Sequence, residues 1–174
     1  MHGMIDLFLA DADGTDQLGR ALAHTRPAQA VVHLQGDLGA GKSTLARALL
    51  RALGVQGPIR SPTYTLIERY PLSDGEAWHL DLYRIGDSGE LDFLGLDEDS
   101  ATLWLIEWPE RGGSHLPARD LLVRLDVVGD GREALLQASS EVGQAWLQAL
   151  AVQTAGSGAG QPDRHLPGSP VSQV

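Results

Sequence analysis

The sequence predicts an α/β fold, a mixed central sheet flanked by helices, and three observations predict it. An apolar, β-branched run, Ala30 to Gln35 (AVVHLQ), stops at a glycine-rich loop and is followed by an amphipathic helical pattern. Two pairs of strand-like runs are each joined by a short turn, one around Ser73-Asp74-Gly75 and one around Gly129-Asp130-Gly131. A further run, Thr102 to Glu107 (TLWLIE), is the most apolar strand candidate and is expected near the centre. A strand–loop–helix unit feeds a parallel neighbour, whereas hairpins pair antiparallel, so the sheet is mixed.

In chain order, Ile5 to Ala10 reads as a first strand. Asp13 or Thr15 is placed to cap a helix running to about Ala23, with Leu18, Ala21 and Leu22 on its inner face. After the glycine-rich loop, Leu45, Ala48, Leu49, Ala52 and Leu53 fall at i, i+3, i+4, i+7 and i+8, one apolar helical face. Arg47 and Arg51 lie opposite, and Gly54 supplies the stop. Gly57-Pro58 and Ser61-Pro62-Thr63 form a loop. Tyr64 to Tyr70 and Ala77 to Tyr83 make the first hairpin, and Glu90 to Leu96 is helical in pattern. Pro109, Gly112-Gly113 and Pro117 punctuate a loop; Leu121 to Val128 and Glu133 to Ser139 make the second hairpin. Val142, Ala145, Trp146, Ala149 and Leu150 outline a closing amphipathic helix. From Thr154 the chain is rich in Gly, Pro, Ser and Gln, so the expected division is a domain over 1–153 and a disordered tail over 154–174. Deleting residues 156–174 is accordingly expected to leave the melting temperature and nucleotide affinity nearly unchanged; a large drop in melting temperature would show that the stretch packs on the domain.

The loop itself carries chemistry. Gly36 to Thr44 (GDLGAGKST) satisfies G-x-x-x-x-G-K-[ST], the phosphate-binding loop pattern, through Gly36, Gly41, Lys42 and Ser43. Gly39 and Gly41 let the backbone turn so that N–H groups from Gly39, Ala40, Gly41 and onward to Thr44 point at phosphate oxygens. Lys42 reaches the β- and γ-phosphates, and the Ser43 hydroxyl can ligate Mg²⁺. The helix that starts here adds its positive end. A strand before and a helix after are the context the motif requires, and together they predict a P-loop NTPase. Lys42 is the only lysine, against twelve arginines. Coding bias accounts for the other positions; at this one a planar guanidinium cannot replace a compact ammonium.

Composition narrows the alternatives. At 174 residues and 43% hydrophobic the chain can build one core. No run approaches the ~18 apolar residues of a membrane span, and no secretion signal is apparent, so a cytoplasmic location is expected by default. The absence of cysteine excludes disulfides, Cys-zinc sites and thiol catalysis. The six histidines show no H-x-x-x-H spacing, which disfavours a His-metal site. A net charge of −10 disfavours direct, independent binding of tRNA or a duplex.

A triphosphatase needs a carboxylate for Mg²⁺, usually at the end of an apolar strand beside the loop. Glu107 ends Leu103-Trp104-Leu105-Ile106 and is followed by Trp108-Pro109, which argues for a shaped pocket rather than a solvated strand end. Asp81 ends a less apolar run, and function and solvated end weigh equally there; Asp126 reads as a solvated face. Thr63 is either a loop hydroxyl sensing Mg²⁺ or γ-phosphate, or part of an ordinary Ser-Pro turn, which composition favours. Asp37 positions water or caps the turn. Tyr83-Arg84 reads by default as a surface pair, with a phosphate or partner contact as the alternative. With no second lysine, the N-K-x-D or T-K-x-D guanine signature is impossible, so adenine is favoured by exclusion.

Four segments together, GDLGAGKST, SPTYTLIE (Ser61 to Glu68), HLDLYR (His79 to Arg84) and LIEWPER (Leu105 to Arg111), resemble the TsaE family of ATPases. The resemblance runs from about Leu7 to Leu150, in order. It implies ATP and Mg²⁺ as cofactors and a role in making threonylcarbamoyladenosine at position 37 of tRNA. There a TsaB–TsaD core carries the chemistry, an ATP cycle of this subunit resets or activates it, and tRNA is met only through the complex. It assigns Lys42 to the phosphates, Ser43 and Glu107 to the metal, Asp81 to a catalytic acid, and Thr15 and Arg132 to the adenine end. The family more often has Thr at the position of Ser43. Two other classes fit the same loop: a small-molecule kinase, for which Arg111 and Arg119 make a thin lid, and a nucleotide-sensing regulator with negligible turnover.

Overall fold

The structure is a computed structural model that describes residues 3–96 and 100–157. Its elements in order are β1 (Met4–Leu9), α1 (Ala12–His24), β2 (Ala30–Gln35), α2 (Lys42–Ala52), β3 (Ile67–Leu72), β4 (Gly75–Asp81), β5 (Ala101–Glu107), β6 (Leu121–Val128), β7 (Gly131–Ala138) and α3 (Glu141–Ser157). Short 3₁₀ turns join the later strands. The described strands form one seven-stranded sheet in the order β1-β7-β6-β2-β5-β4-β3. The inner strands β6, β2, β5 and β4 run parallel, and the two hairpins add β7 and β3 antiparallel. The mixed α/β sheet is therefore as the sequence predicts. β2 occupies the centre, with the apolar β5 beside it.

Alternation along β5 divides the core. Leu103 and Leu105 join Leu18, Leu22, Leu45, Leu49 and Trp146 in the larger cluster, under the three helices. Trp104 and Ile106 point the other way and pack with Trp78, Leu80, Leu91 and Leu116 beneath the 3₁₀ segments. Both sheet faces are covered, which is why β5 reads as a continuous apolar run. His33 sits within β2; burial and the nearby Arg119 guanidinium push its imidazole down to about 4, so it stays neutral there.

Several details differ from expectation; among them, the helical segment expected over Glu90 to Leu96 is a 3₁₀ helix over Ser88–Leu94. The cap of α1 is Asp11, extended at φ −155°, whose carboxylate accepts from Gly14 N at 2.9 Å. Asp13 lies in the first turn and Thr15 is buried inside the helix. The first hairpin starts at Ile67 instead of Tyr64, because residues 62–65 close a turn in which Leu66 N donates to Pro62 O at 2.8 Å. In α3 the buried residues are Gly143, Trp146, Leu147 and Leu150, while Val142, Ala145 and Ala149 are exposed. The reason is the approach at Gly143, where a Cβ would lie 1.9 Å from Asp120 O. The helix can dock there only through glycine, and this turns its inner face by one residue. Trp146 then donates its indole N–H to Leu22 O at 3.2 Å. α3 also continues through Ser157, so the first four residues of the expected tail are helical; the rest of that tail lies outside the described residues.

Candidate functional site

Parallel strands end together, and here β2, β5 and β4 end at one edge. Glu107 is in register with Leu34 on one side and Asp81 on the other. The period of two sends Glu107 to the same face as Leu103 and Leu105, and sends His79 and Asp81 to the same face as Ala77. That is the face the helices cover. The acids at the strand ends therefore meet the start of α2, at the carboxyl edge where ligands of open α/β sheets bind.

The loop between β2 and α2 has the backbone its glycines predict. Gly36, Gly39 and Gly41 have φ of +149°, +80° and +107°. A Cβ on Gly36 would also stand 2.5 Å from Leu125 O, so the position admits nothing larger. Asp37 is exposed at the loop, where its carbonyl closes the turn by accepting from Ala40 N at 3.0 Å. Gly41 precedes α2 without a side-chain cap, so the first-turn N–H groups are left to an external acceptor.

Lys42 is 5% exposed. Its ammonium donates to Gly36 O and, at 2.9 Å, to Asp37 O, and lies 4.5 Å from the centre of the Trp108 ring. Burial pushes this lysine below its usual range; the carboxylates of Glu107, Asp81, Glu110 and Asp37 pull the other way without overcoming it. Trp108 is held at φ 55°, ψ 50°, a left-handed conformation uncommon for a bulky residue, with Pro109 following. Its ring also lies 5.0 Å from that of Tyr83. Arg84 lies against the exposed Tyr64 ring, and Arg111 donates to Tyr83 O at 2.7 Å.

Ser43 Oγ lies 3.0 and 3.1 Å from the two oxygens of Glu107, which is 2% exposed. His79 Nε2 lies 2.6 Å from Glu107 Oε2. Asp81 accepts from Thr63 Oγ1 at 3.1 Å and from Tyr83 N at 3.0 Å. A serine hydroxyl beside a carboxylate is a hard oxygen pair suited to Mg²⁺. Among the described residues there is no group of three or more His, Cys, Asp or Glu that could hold a metal by itself. This pair fits an ion that draws its other ligands from phosphate and water.

Two clefts meet at the loop. One, of about 240 Å³, is lined by Leu38, Gly39, Gly41, Lys42, Ser43, Thr44, Thr63, Asp81, Glu107 and Trp108. The other, of about 160 Å³, opens on the β1–α1 side between Thr15, Thr44 and Arg132. The Arg132 guanidinium reaches the loop from β7, donating to Ala40 O at 3.0 Å and Gly39 O at 3.2 Å. Thr15 and Arg132 thus share a cleft on the side of the loop away from the acids. A larger groove, about 620 Å³, lies between β1, α1 and the end of α3, but it holds none of the loop or acidic residues and is not the site. The loop, Ser43 with Glu107, Asp81 and Thr63 lie together around one cleft. His79 stands in a matching segment of the sequence reading but has no role there. Alternation in His79-Leu80-Asp81 was the available signal, since it puts both polar side chains on one face.

Comparison with known proteins identifies the family. The profile of a family described as threonylcarbamoyl adenosine biosynthesis protein TsaE matches residues 9–134. A Haemophilus influenzae protein named tRNA threonylcarbamoyladenosine biosynthesis protein TsaE is 44% identical over 123 residues, covering 70% of this chain and 77% of that one. A protein of the same name from Aquifex aeolicus is 31% identical over 134 residues, covering 76% and 94%. The crystal structure of Bacillus subtilis YdiB superposes with a TM-score of 0.75 at 24% identity, over 88% of this chain and 98% of that one, a likeness of fold. With the family profile matched over residues 9–134 and relatives of that name 31–44% identical over most of the chain, the chain belongs to the TsaE family.

Proposed function

We propose that this chain is a Mg²⁺-dependent ATP hydrolase subunit that supports a TsaB–TsaD core in threonylcarbamoyl modification of tRNA adenosine, with tRNA reached only through that complex. The observation that carries the reading is the contact of Ser43 with Glu107 at the foot of the phosphate loop. It brings a hydroxyl from the start of α2 and a carboxylate from the end of β5 to one point beside Lys42. In this reading Ser43 and Glu107 would hold the ion, which would supply neutralisation of phosphate charge when bound. The N–H groups of Gly39 through Thr44 cradle the phosphates, and Lys42 turns from the loop carbonyls to the β- and γ-oxygens. Asp81, already accepting two hydrogen bonds, acts as the acid that orients the attacking side of the site. Thr15 and Arg132 flank the adenine end. The domain is residues 1–153, and the location is cytoplasmic; among the described residues no helix is long and apolar enough to cross a membrane.

The kinase alternative is weakened by its lid. Arg119 donates to Ser139 Oγ at 2.9 Å, and Arg111 is bound to Tyr83 O beside the Trp108 ring, so neither lines the cleft. Among the described residues, no arginine lines the cleft that holds Lys42 and Glu107. A finger supplied by a partner contributes about 10³–10⁵ in rate. Slow turnover alone and faster turnover with the core are therefore expected. The measurement is phosphate release by the purified chain with ATP and Mg²⁺, then with the core, then with tRNA alone. Fast turnover by the isolated chain, or stimulation by tRNA without the core, refutes partner dependence.

A further inference from the structure

We propose that His79 is the positioning residue for Glu107, its Nε2–H fixing the carboxylate in the orientation in which it meets Ser43. This rests on the reading that Ser43 and Glu107 hold the ion. His79 and Glu107 are each 2% exposed and 2.6 Å apart, on adjacent parallel strands and on the same sheet face. The Ser43 hydroxyl has one proton and lies almost equally far from both carboxylate oxygens, so it does not choose between them. The histidine bond is made to Oε2 alone, and it is the contact that distinguishes the two.

The surroundings of the ring settle its tautomer. An ionised carboxylate only accepts, so Nε2 must carry the proton. Nδ1 is buried and has no hydrogen-bond partner. A bare lone pair there is tolerable, whereas a second N–H would be a buried donor with no acceptor. The geometry therefore favours a ring whose Nε2–H, not an Nδ1–H, is directed at Glu107 Oε2. Partners that orient metal-bound side chains in this way typically contribute 10–100-fold, roughly, in metal affinity.

The test uses the full chain and ADP as the nucleotide probe. ADP affinity is measured by calorimetry in EDTA and at stepped Mg²⁺ concentrations, which gives an apparent Mg²⁺ affinity. His79→Leu is expected to weaken that affinity by about tenfold or more and to leave ADP affinity in EDTA within about twofold. His79→Gln, which keeps an N–H donor near the Nε2 position, is expected to recover most of the loss. In ¹⁵N spectra of the wild-type protein, the signal lost in His79→Gln should be that of an Nε2-protonated ring. A folded His79→Leu variant with wild-type Mg²⁺ affinity overturns the proposal. So does an equal loss of ADP affinity with and without Mg²⁺, which marks a merely structural role, and so does an Nδ1-protonated ring. If His79→Leu does not fold, the tautomer of the wild-type ring decides. Glu107→Gln runs in parallel. Unchanged Mg²⁺ affinity there refutes the metal reading itself, while loss there with none in His79→Leu refutes only the role of His79.

Discussion

Lys42→Ala is expected to abolish nucleotide binding or to lower turnover by at least about 10²-fold, the scale of removing one electrostatic contact to a reacting group. The fold should survive. Lys42 is buried, but its ammonium touches backbone carbonyls of its own loop and a ring face, not the apolar core. Those carbonyls can return to water through the cleft. Unchanged circular dichroism with lost nucleotide affinity is the outcome that fits. Lys42→Arg is expected to fail as well, although it keeps the charge. The nest between Gly36 O, Asp37 O and the Trp108 ring is sized for an ammonium, and the guanidinium is wider and planar. Full ATPase activity in the arginine variant would contradict both the geometry and the argument from the sole lysine.

Glu107→Gln carries the second largest expected effect. The change keeps the shape of a side chain that is 2% exposed but removes the charge that faces Ser43 and Lys42. Turnover at fixed Mg²⁺ is expected to fall by about 10²-fold, with part of the activity returning as Mg²⁺ is raised. Asp81→Asn is the comparison. Its carboxylate is held by Thr63 and the Tyr83 amide, so loss of turnover without a shift in Mg²⁺ dependence is expected. Phosphate release measured against Mg²⁺ concentration separates the two. If Asp81→Asn shifts the Mg²⁺ dependence and Glu107→Gln does not, the roles of the two acids are reversed.

Features made by neighbouring residues were legible from the residues alone. The glycine-rich loop is nine consecutive positions, and its three glycines take the positive φ that the pattern requires. The face of α2 and the turns at Ser73-Asp74 and Gly129-Asp130 are likewise local, set by helical spacing and by turn residues. The strand-end position of Glu107 and Asp81 followed from apolar runs that stop at an acid. Local pattern could not give the neighbours across the sheet. It is the order β2-β5-β4 that puts His79 against Glu107, 28 residues away, and the turn before β3, tied to β4 by Asp81 N donating to Leu66 O, that puts Thr63 against Asp81. The antiparallel return of β7 brings Arg132 to the carbonyls of Gly39 and Ala40, more than ninety residues back. The docking of Gly143 on Asp120 chose the inner face of α3, where two adjacent stripes were both apolar enough. Periodicity states which residues share a face of one element; which elements lie side by side is decided by how the whole apolar surface is covered, and only the assembled sheet contains that information.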